Sequence, residues 1–294
     1  MDEIISNSVS TWFDGVKELV VKTMKDFLID CCKGAYNSMF TEINDKINDA
    51  GTILSQSPSV WSSSVFDKIQ NISESVIVPI AGMMITYVFC YEIIHMVTES
   101  NSMKTVKVSD IMAVLIKASI AIMIFSNSFK IIMAFFDVGN YVTNKVTAQS
   151  VTIGNGVEIG ELLASESIPS LIGTLFLLGG VRLITFLSTI AIYVAVNTWF
   201  LEIYIYSSIA AIPFATFLNK EWGQIGYNYS RRIMALAFQS FFMLLCLVIY
   251  SARLSDVTSG NLMDKLIEIV GGSIILVFML FKCGNISSSI FNAH

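Results

Sequence analysis

Charge is what this sequence has least of. Asp, Glu, Lys and Arg together make up 14% of its 294 residues, against roughly 25% in an ordinary soluble domain. A soluble chain of this length could not cover its surface with so few charges, whereas a bilayer solvates apolar side chains directly. Histidine is scarcer still: His95 and His294 are the only two. A Ser-His-Asp triad would need one of them, and neither lies near a nucleophile elbow. The HExxH zinc pair and the G-x-x-x-x-G-K-[ST] phosphate loop are both missing. Cys31, Cys32, Cys90, Cys246 and Cys283 form no CxxC pair and no Cys/His cluster with zinc spacing. They read as small apolar fillers in helices. No basic tract is long enough to suggest direct nucleic-acid binding. The sequence therefore predicts no catalytic residue, no cofactor, no metal site and no enzyme activity.

Apolar residues supply 54% of the chain, and the mean hydropathy is +0.68. They are gathered into long runs, so the fold class is all-α: a polytopic helical membrane protein. The opening MDEIISNSVS is acidic and polar and has no basic region before a short apolar core. Membrane insertion is therefore expected to use an internal helix.

Residues 1–73 read as an N-terminal amphipathic helical region. Trp12, Val16, Leu19, Val20, Met24, Phe27 and Cys31 recur at helical spacing, with Lys17, Glu18, Lys22, Lys25 and Asp26 largely between them. Such a face lies on the membrane interface, packs on a partner, or packs on the protein's own helices. A second, weaker helical stretch covers 35–54, and SQSPSVWSSS (55–64) reads as a loop.

A first transmembrane hairpin is expected over 74–137, with spans at about 76–97 and 111–136. An acidic, glycine-containing extramembrane loop follows over 138–167, and the hydrophobic core covers 168–294. The run 168–217 admits two readings: two spans with a tight turn near Asn197, or one long tilted helix followed by a half-helix ending at Pro213. The last spans are placed at 233–252 and 266–282. Lys104 and Lys107 mark one short loop as cytoplasmic, and Lys220, Arg231 and Arg232 another. Both loops are cytoplasmic only if 168–217 makes one net crossing. The count is then about five, with the N-terminus outside and the C-terminus inside; six is the alternative.

Ionisable residues inside a span cost roughly 2.5–3.5 kcal/mol each at its centre and tend to pair. Glu92 and Lys117 lie at similar depth in an antiparallel hairpin, so an ion pair is expected to lock the first two spans. Arg182 and Glu202 form a second candidate set, as a polar core or an oligomer contact, or simply as mutually neutralised charge. Ala191 with Ala195, Ala211 with Ala215, Gly179–Gly180 and Gly271–Gly272–Ser273 offer points of close helix approach.

The segment EIYIYSSIAAIPFATFLNKEWGQIGYNYSRR (202–232), followed by ALAFQSFFMLLCLVIY, is distinctive. Pro213 disturbs the preceding helical turn, and Asn219 is suited to cap the next segment. Trp222, Tyr227 and Tyr229 suit a membrane boundary, and Arg231 and Arg232 its cytoplasmic side. Glu202-Ile203-Tyr204, Ile212 to Thr216, Asn219 to Gln224, Asn228-Tyr229 and Ala237-Phe238-Gln239 resemble the TrbL-type family. Its members are polytopic inner-membrane components of conjugative type IV secretion systems, and the likeness is greatest to those of Gram-positive integrative conjugative elements. The resemblance implies a channel or scaffold subunit of a conjugation apparatus in the cell membrane. It implies a homo-oligomer, partner transfer proteins including ATPases, and DNA only as transported cargo. It also implies a partner-contact junction at Pro213, Asn219, Lys220, Glu221, Trp222, Gly223, Gln224, Asn228, Tyr229, Arg231 and Arg232. Two other classes stay open on the residues alone: a secondary transporter or small-solute channel using Arg182 and Glu202, and a holin-like or immunity-type membrane protein.

Overall fold

The computed structural model describes residues 2–99, 108–147, 159–219, 222–255 and 262–293. Among them every regular element is helical. The first, α1 (Asp2–Leu54), is a single helix, not the two stretches expected on either side of Gly34. Glycine inside a helix costs about 1 kcal/mol, and a side chain at Gly34 would meet open space, so the ladder continues through it. The predicted loop at 55–64 contains a short helix, α2 (Pro58–Trp61). Ser57 is extended (φ −71°, ψ 152°), as a residue preceding proline prefers, and Pro58 opens the helix, where its missing N–H costs nothing.

Next come α3 (Ser63–Ile72), a π-helical turn (Ser73–Ile77) and α4 (Val78–Glu99). The wide turn has a local cause. Pro79 offers no N–H to the carbonyl of Ser75 and crowds it, and the Val78 N–H reaches back to the Ser73 carbonyl. The expected second span is divided into α5 (Val108–Ser126) and α6 (Ser128–Thr147), with a 66° bend between them. Asn127 supplies the reason: its side-chain amide donates to the Met123 carbonyl at 3.0 Å, competing with the backbone ladder. Helix α6 carries on to Thr147, so the first part of the expected loop at 138–167 is helical.

After α7 (Gly160–Ala164) comes α8 (Ile168–Ile209), which passes through Asn197 without a turn. Its end follows from Pro213, which cannot donate to the carbonyl of Ile209. The short α9 (Ala211–Ala215) and a 3-10 turn (Thr216–Leu218) follow. Of the two readings of 168–217, the structure has the long helix and half-helix, with Pro213 inside the short helix. Helices α10 (Gly223–Ser255) and α11 (Leu262–Ile290) complete the chain. Residues 223–232, expected to be a polar segment before the span, are the first turns of α10.

Among the described residues four helical stretches are long and apolar enough to cross a membrane: Ser63–Thr98, Ile168–Ala215, Gly223–Leu254 and Leu262–Ile290. The bent pair Ile111–Ser126 and Ser128–Val146 makes a fifth if it is one broken span. The count is four to five. The six-span alternative needed a turn near Asn197, and α8 is unbroken there.

The chain forms two compact units. One comprises 1–49, 151–192 and 247–277. Its core includes a stripe on α1 (Cys32, Tyr36, Met39, Phe40, Ile43 and Ile47) and Leu171, Leu178 and Val181 of α8. Cys32 Sγ lies 3.8 Å from the Leu171 carbonyl oxygen, and Lys25 Nζ donates to the Ala164 carbonyl at 2.8 Å. By contrast Trp12, Leu19 and Phe27 of the predicted amphipathic face stand exposed. The other unit comprises 50–150, 193–246 and 278–294. Here Trp61 stacks on Phe200 (4.6 Å between centroids, 5° between planes). Tyr204 Oη donates to the Pro58 carbonyl at 2.6 Å, and Trp199 Nε1 to the Leu236 carbonyl at 2.9 Å. Each of these pins a buried aromatic by its polar tip.

Candidate functional site

The junction between α9 and α10 is assembled around Asn219, which is 3% exposed. Its backbone N–H donates to the Thr216 carbonyl at 3.2 Å, and its own carbonyl accepts from Gly223 N–H at 2.8 Å. Its side-chain Oδ1 accepts the Trp222 N–H at 3.0 Å, a capping bond that satisfies an amide at the start of α10. Its Nδ2 donates to Glu92 Oε2 on α4 at 3.1 Å. One amide therefore caps a helix and holds a carboxylate.

Trp222 extends the same contact. Its indole stacks on Tyr87 (5.9 Å, 14°) and on Tyr91 (5.7 Å, 14°). Those tyrosines stand one turn apart on α4, so they share a face. Tyr91 in turn stacks on His95. The indole of Trp222 thus packs on its own protein.

Further along α10 the helix approaches α9 very closely. A Cβ added at Gly226 would lie 2.8 Å from the Pro213 carbonyl oxygen and 2.8 Å from the Phe217 ring. Tyr229 is buried rather than interfacial. Its hydroxyl donates to the Tyr206 carbonyl, and its ring meets Phe214 edge-on at 5.6 Å. Arg232 is also occupied: it sits 5.7 Å from the Tyr206 ring centroid and donates to Ser288 Oγ. The predicted set thus divides in two. Pro213, Asn219, Trp222, Gly223, Tyr229 and Arg232 build the junction. Gln224, Asn228 and Arg231 stand exposed on the first turns of α10, beside exposed Ile225 and Tyr227; Gln224 and Asn228 bond each other at 3.0 Å. Lys220 and Glu221 lie outside the described residues, as do Lys104 and Lys107.

Two of the charged residues expected inside spans, Glu92 and Arg182, take partners other than those expected. Glu92 accepts from Asn219, and among the described residues no ion pair joins it to Lys117, which is exposed. Both charges lie on the helices expected to form the first hairpin, Glu92 on α4 and Lys117 on α5, but a neutral amide from the α9–α10 junction reaches the carboxylate. Arg182 lies 3.9 Å from Glu42 of α1. Glu202 lies twenty residues beyond it on unbroken α8, ~30 Å of helical rise, so these two do not meet by a fold-back. The glycines at close approaches also differ. Gly179, Gly180 and Gly271 face open space, whereas a Cβ at Gly139 would lie 2.2 Å from the Ala237 carbonyl oxygen. Beside it Thr143 and Ser240 share a 3.0 Å hydrogen bond. Tyr87, Tyr91 and Gly139 escaped the sequence reading. The tyrosines' i, i+4 spacing was visible, but their partner was not.

Among the described residues no group of three or more His, Cys, Asp or Glu side chains converges as a metal ion would require. The junction offers packing, hydrogen bonds and an exposed polar-aromatic face. A family model described as "TrbL/VirB6 plasmid conjugal transfer like protein" matches residues 43–211, more than half of the chain. The chain belongs to this family. A TrbL/VirB6-like protein is a structural component of a conjugal transfer apparatus, and the family is not a known enzyme family. With its four to five apolar helices, this TrbL/VirB6-like chain is a membrane protein. Comparison with curated proteins and with solved structures gave no match. The family match ends at Ala211, so it covers α2 to α8 and stops at the first residue of the short helix that opens the junction.

Proposed function

We propose that the chain is a non-enzymatic channel or scaffold subunit of a conjugative DNA-transfer (type IV secretion) apparatus in the cell membrane. The observation that carries this reading is the TrbL/VirB6-like match over 43–211, on a chain whose helices are long and apolar enough to span a bilayer. The chain assembles as a homo-oligomer with other transfer proteins. Separate ATPases supply the energy, which suits a sequence without a phosphate loop. DNA is cargo. Five crossings, with the bent pair counted as one, place the N-terminus outside and the C-terminus in the cytoplasm. They also put Lys104, Lys107, Arg231 and Arg232 on the cytoplasmic side, as the positive-inside rule favours.

The contact face for those partners is the exposed start of α10: Gln224, Ile225, Tyr227, Asn228 and Arg231. A clean deletion is expected to abolish conjugal transfer and leave growth normal, with transfer restored by the gene in trans. Wild-type transfer frequency in the deletion strain would overturn the proposal. Arg231→Glu combined with Asn228→Ala is expected to reduce transfer and co-purification of the transfer ATPases at unchanged membrane levels. Retention of both would remove the face from the proposal.

A further inference from the structure

The bend between α5 and α6 opens on a cavity of about 330 Å³, at the lower end of the range of small-ligand pockets. One wall is Glu74, on the π-helical turn before α4; the other is Ser126, Asn127, Ser128 and Lys130. Four features of these walls point to a ligand with two opposite charges.

The first is the N-terminus of α6, a helix of 20 residues. The amides of Ser128, Phe129 and Lys130 have no acceptor within their helix, and the dipole gives that end positive character. The second is Ser128 itself. It lines the cavity, is 1% exposed, and its hydroxyl has no hydrogen-bond partner among the described residues. Buried hydroxyls are ordinarily bonded, so this one is a donor waiting for an acceptor. The third is Lys130, exposed at the rim, without an ion pair among the described residues. The fourth is Glu74 across the cavity, whose Oε1 accepts from Gln70 Nε2 at 2.8 Å and which no described cation neutralises. Lys130 and Glu74 face one cavity without pairing directly. A simple anion would satisfy one wall and be repelled by the other.

The depth fits a lipid. Taken as the first part of a broken span, residues Ile111–Ser126 rise ~24 Å, most of the ~30 Å hydrocarbon core, which puts the bend near its boundary. We propose that this cavity binds the zwitterionic head of a phosphatidylethanolamine. The phosphate takes the α6 amides, Ser128 Oγ and Lys130, and the primary ammonium donates to Glu74. A trimethylated ammonium has no N–H to give a carboxylate and is recognised by aromatic cages instead. The inference is independent of the transfer role.

The full-length chain in phosphatidylcholine nanodiscs, doped with phosphatidylethanolamine or phosphatidylglycerol, tests it by native mass spectrometry of retained lipid. The wild type is expected to retain one phosphatidylethanolamine per chain, with at least tenfold preference over phosphatidylglycerol. Glu74→Gln and Lys130→Met are each expected to cut that retention about tenfold. Ser128→Ala is expected to cut it too, without lowering the Tm of the lipid-free protein, because it removes an unpartnered hydroxyl. Equal retention of phosphatidylglycerol, unchanged retention in both charge variants, or a Ser128→Ala protein that loses Tm together with lipid overturns the site. Displacement of the lipid by equimolar soluble O-phosphoethanolamine would keep the chemistry and overturn the membrane as its source.

Discussion

Asn219 commits each end of its side-chain amide to a different helix, one to the start of α10 and one to Glu92 on α4. Removing it costs a cap, about 0.5–2 kcal/mol, and a hydrogen bond to a charged group, about 1.5–3 kcal/mol. Asn219→Ala is therefore expected to lower stability by about 2 kcal/mol or more, read as thermal unfolding in detergent. In a double-mutant cycle with Glu92→Gln the losses should be non-additive by about 1 kcal/mol; simple additivity would show the bond to be unimportant. Lys117→Met, at an exposed position, should be nearly neutral. The pairing was not legible in the sequence because 127 positions separate the partners and charge was matched with charge. Glu92, the Pro213 break and the residue types of the junction were legible. Tyr229 was not legible as core, since a tyrosine suits a membrane boundary and a buried site equally until its hydroxyl's partner is known.

Helix boundaries were readable where their cause is local. Pro213 ends α8 through an N–H it does not have, whereas Pro58, within a stretch that read as a loop, opens the short α2. The bend at Asn127 depends on where a side-chain amide points, and polar residues within an apolar run do not reveal that. The N-terminal region read as one stretch ending at Cys31 and a second at 35–54, yet α1 runs through both as a single helix. The reverse happened at Gly139, which looks ordinary in sequence but marks the place where α6 lies against the backbone of α10 at Ala237. Gly139→Leu is expected to force these helices apart, at about 1–3 kcal/mol of overpacking. The Thr143–Ser240 bond beside it should break as well. A disulfide between Cys residues placed at 143 and 240 should form readily in the otherwise wild-type chain and poorly with Gly139→Leu. Equal cross-linking would show that the contact tolerates a side chain.

At the scale of the whole chain, hydropathy located the apolar runs but could not settle how many cross. Four helical stretches qualify by themselves, and the fifth depends on whether the bent α5–α6 pair traverses the bilayer. A cytosol-dependent fluorescent reporter at His294 is expected to fluoresce, while the same reporter at Met1 stays dark. Two bright or two dark fusions would mean an even number of crossings and would leave α5–α6 on one side. The family was legible from the residues around 202–232, and the stretch that matches the family, 43–211, overlaps that segment only at 202–211.

The meeting of α9 and α10 also bears on how this gene can drift. At Gly223 a new Cβ would meet nothing nearer than 3.7 Å, whereas at Gly226 it would meet the Pro213 backbone at 2.8 Å. Any missense change in the codon for Gly226 must therefore displace a proline-fixed turn. Three residues upstream a Cβ meets only ordinary contact distances, so alanine is expected to be tolerated at Gly223 and not at Gly226.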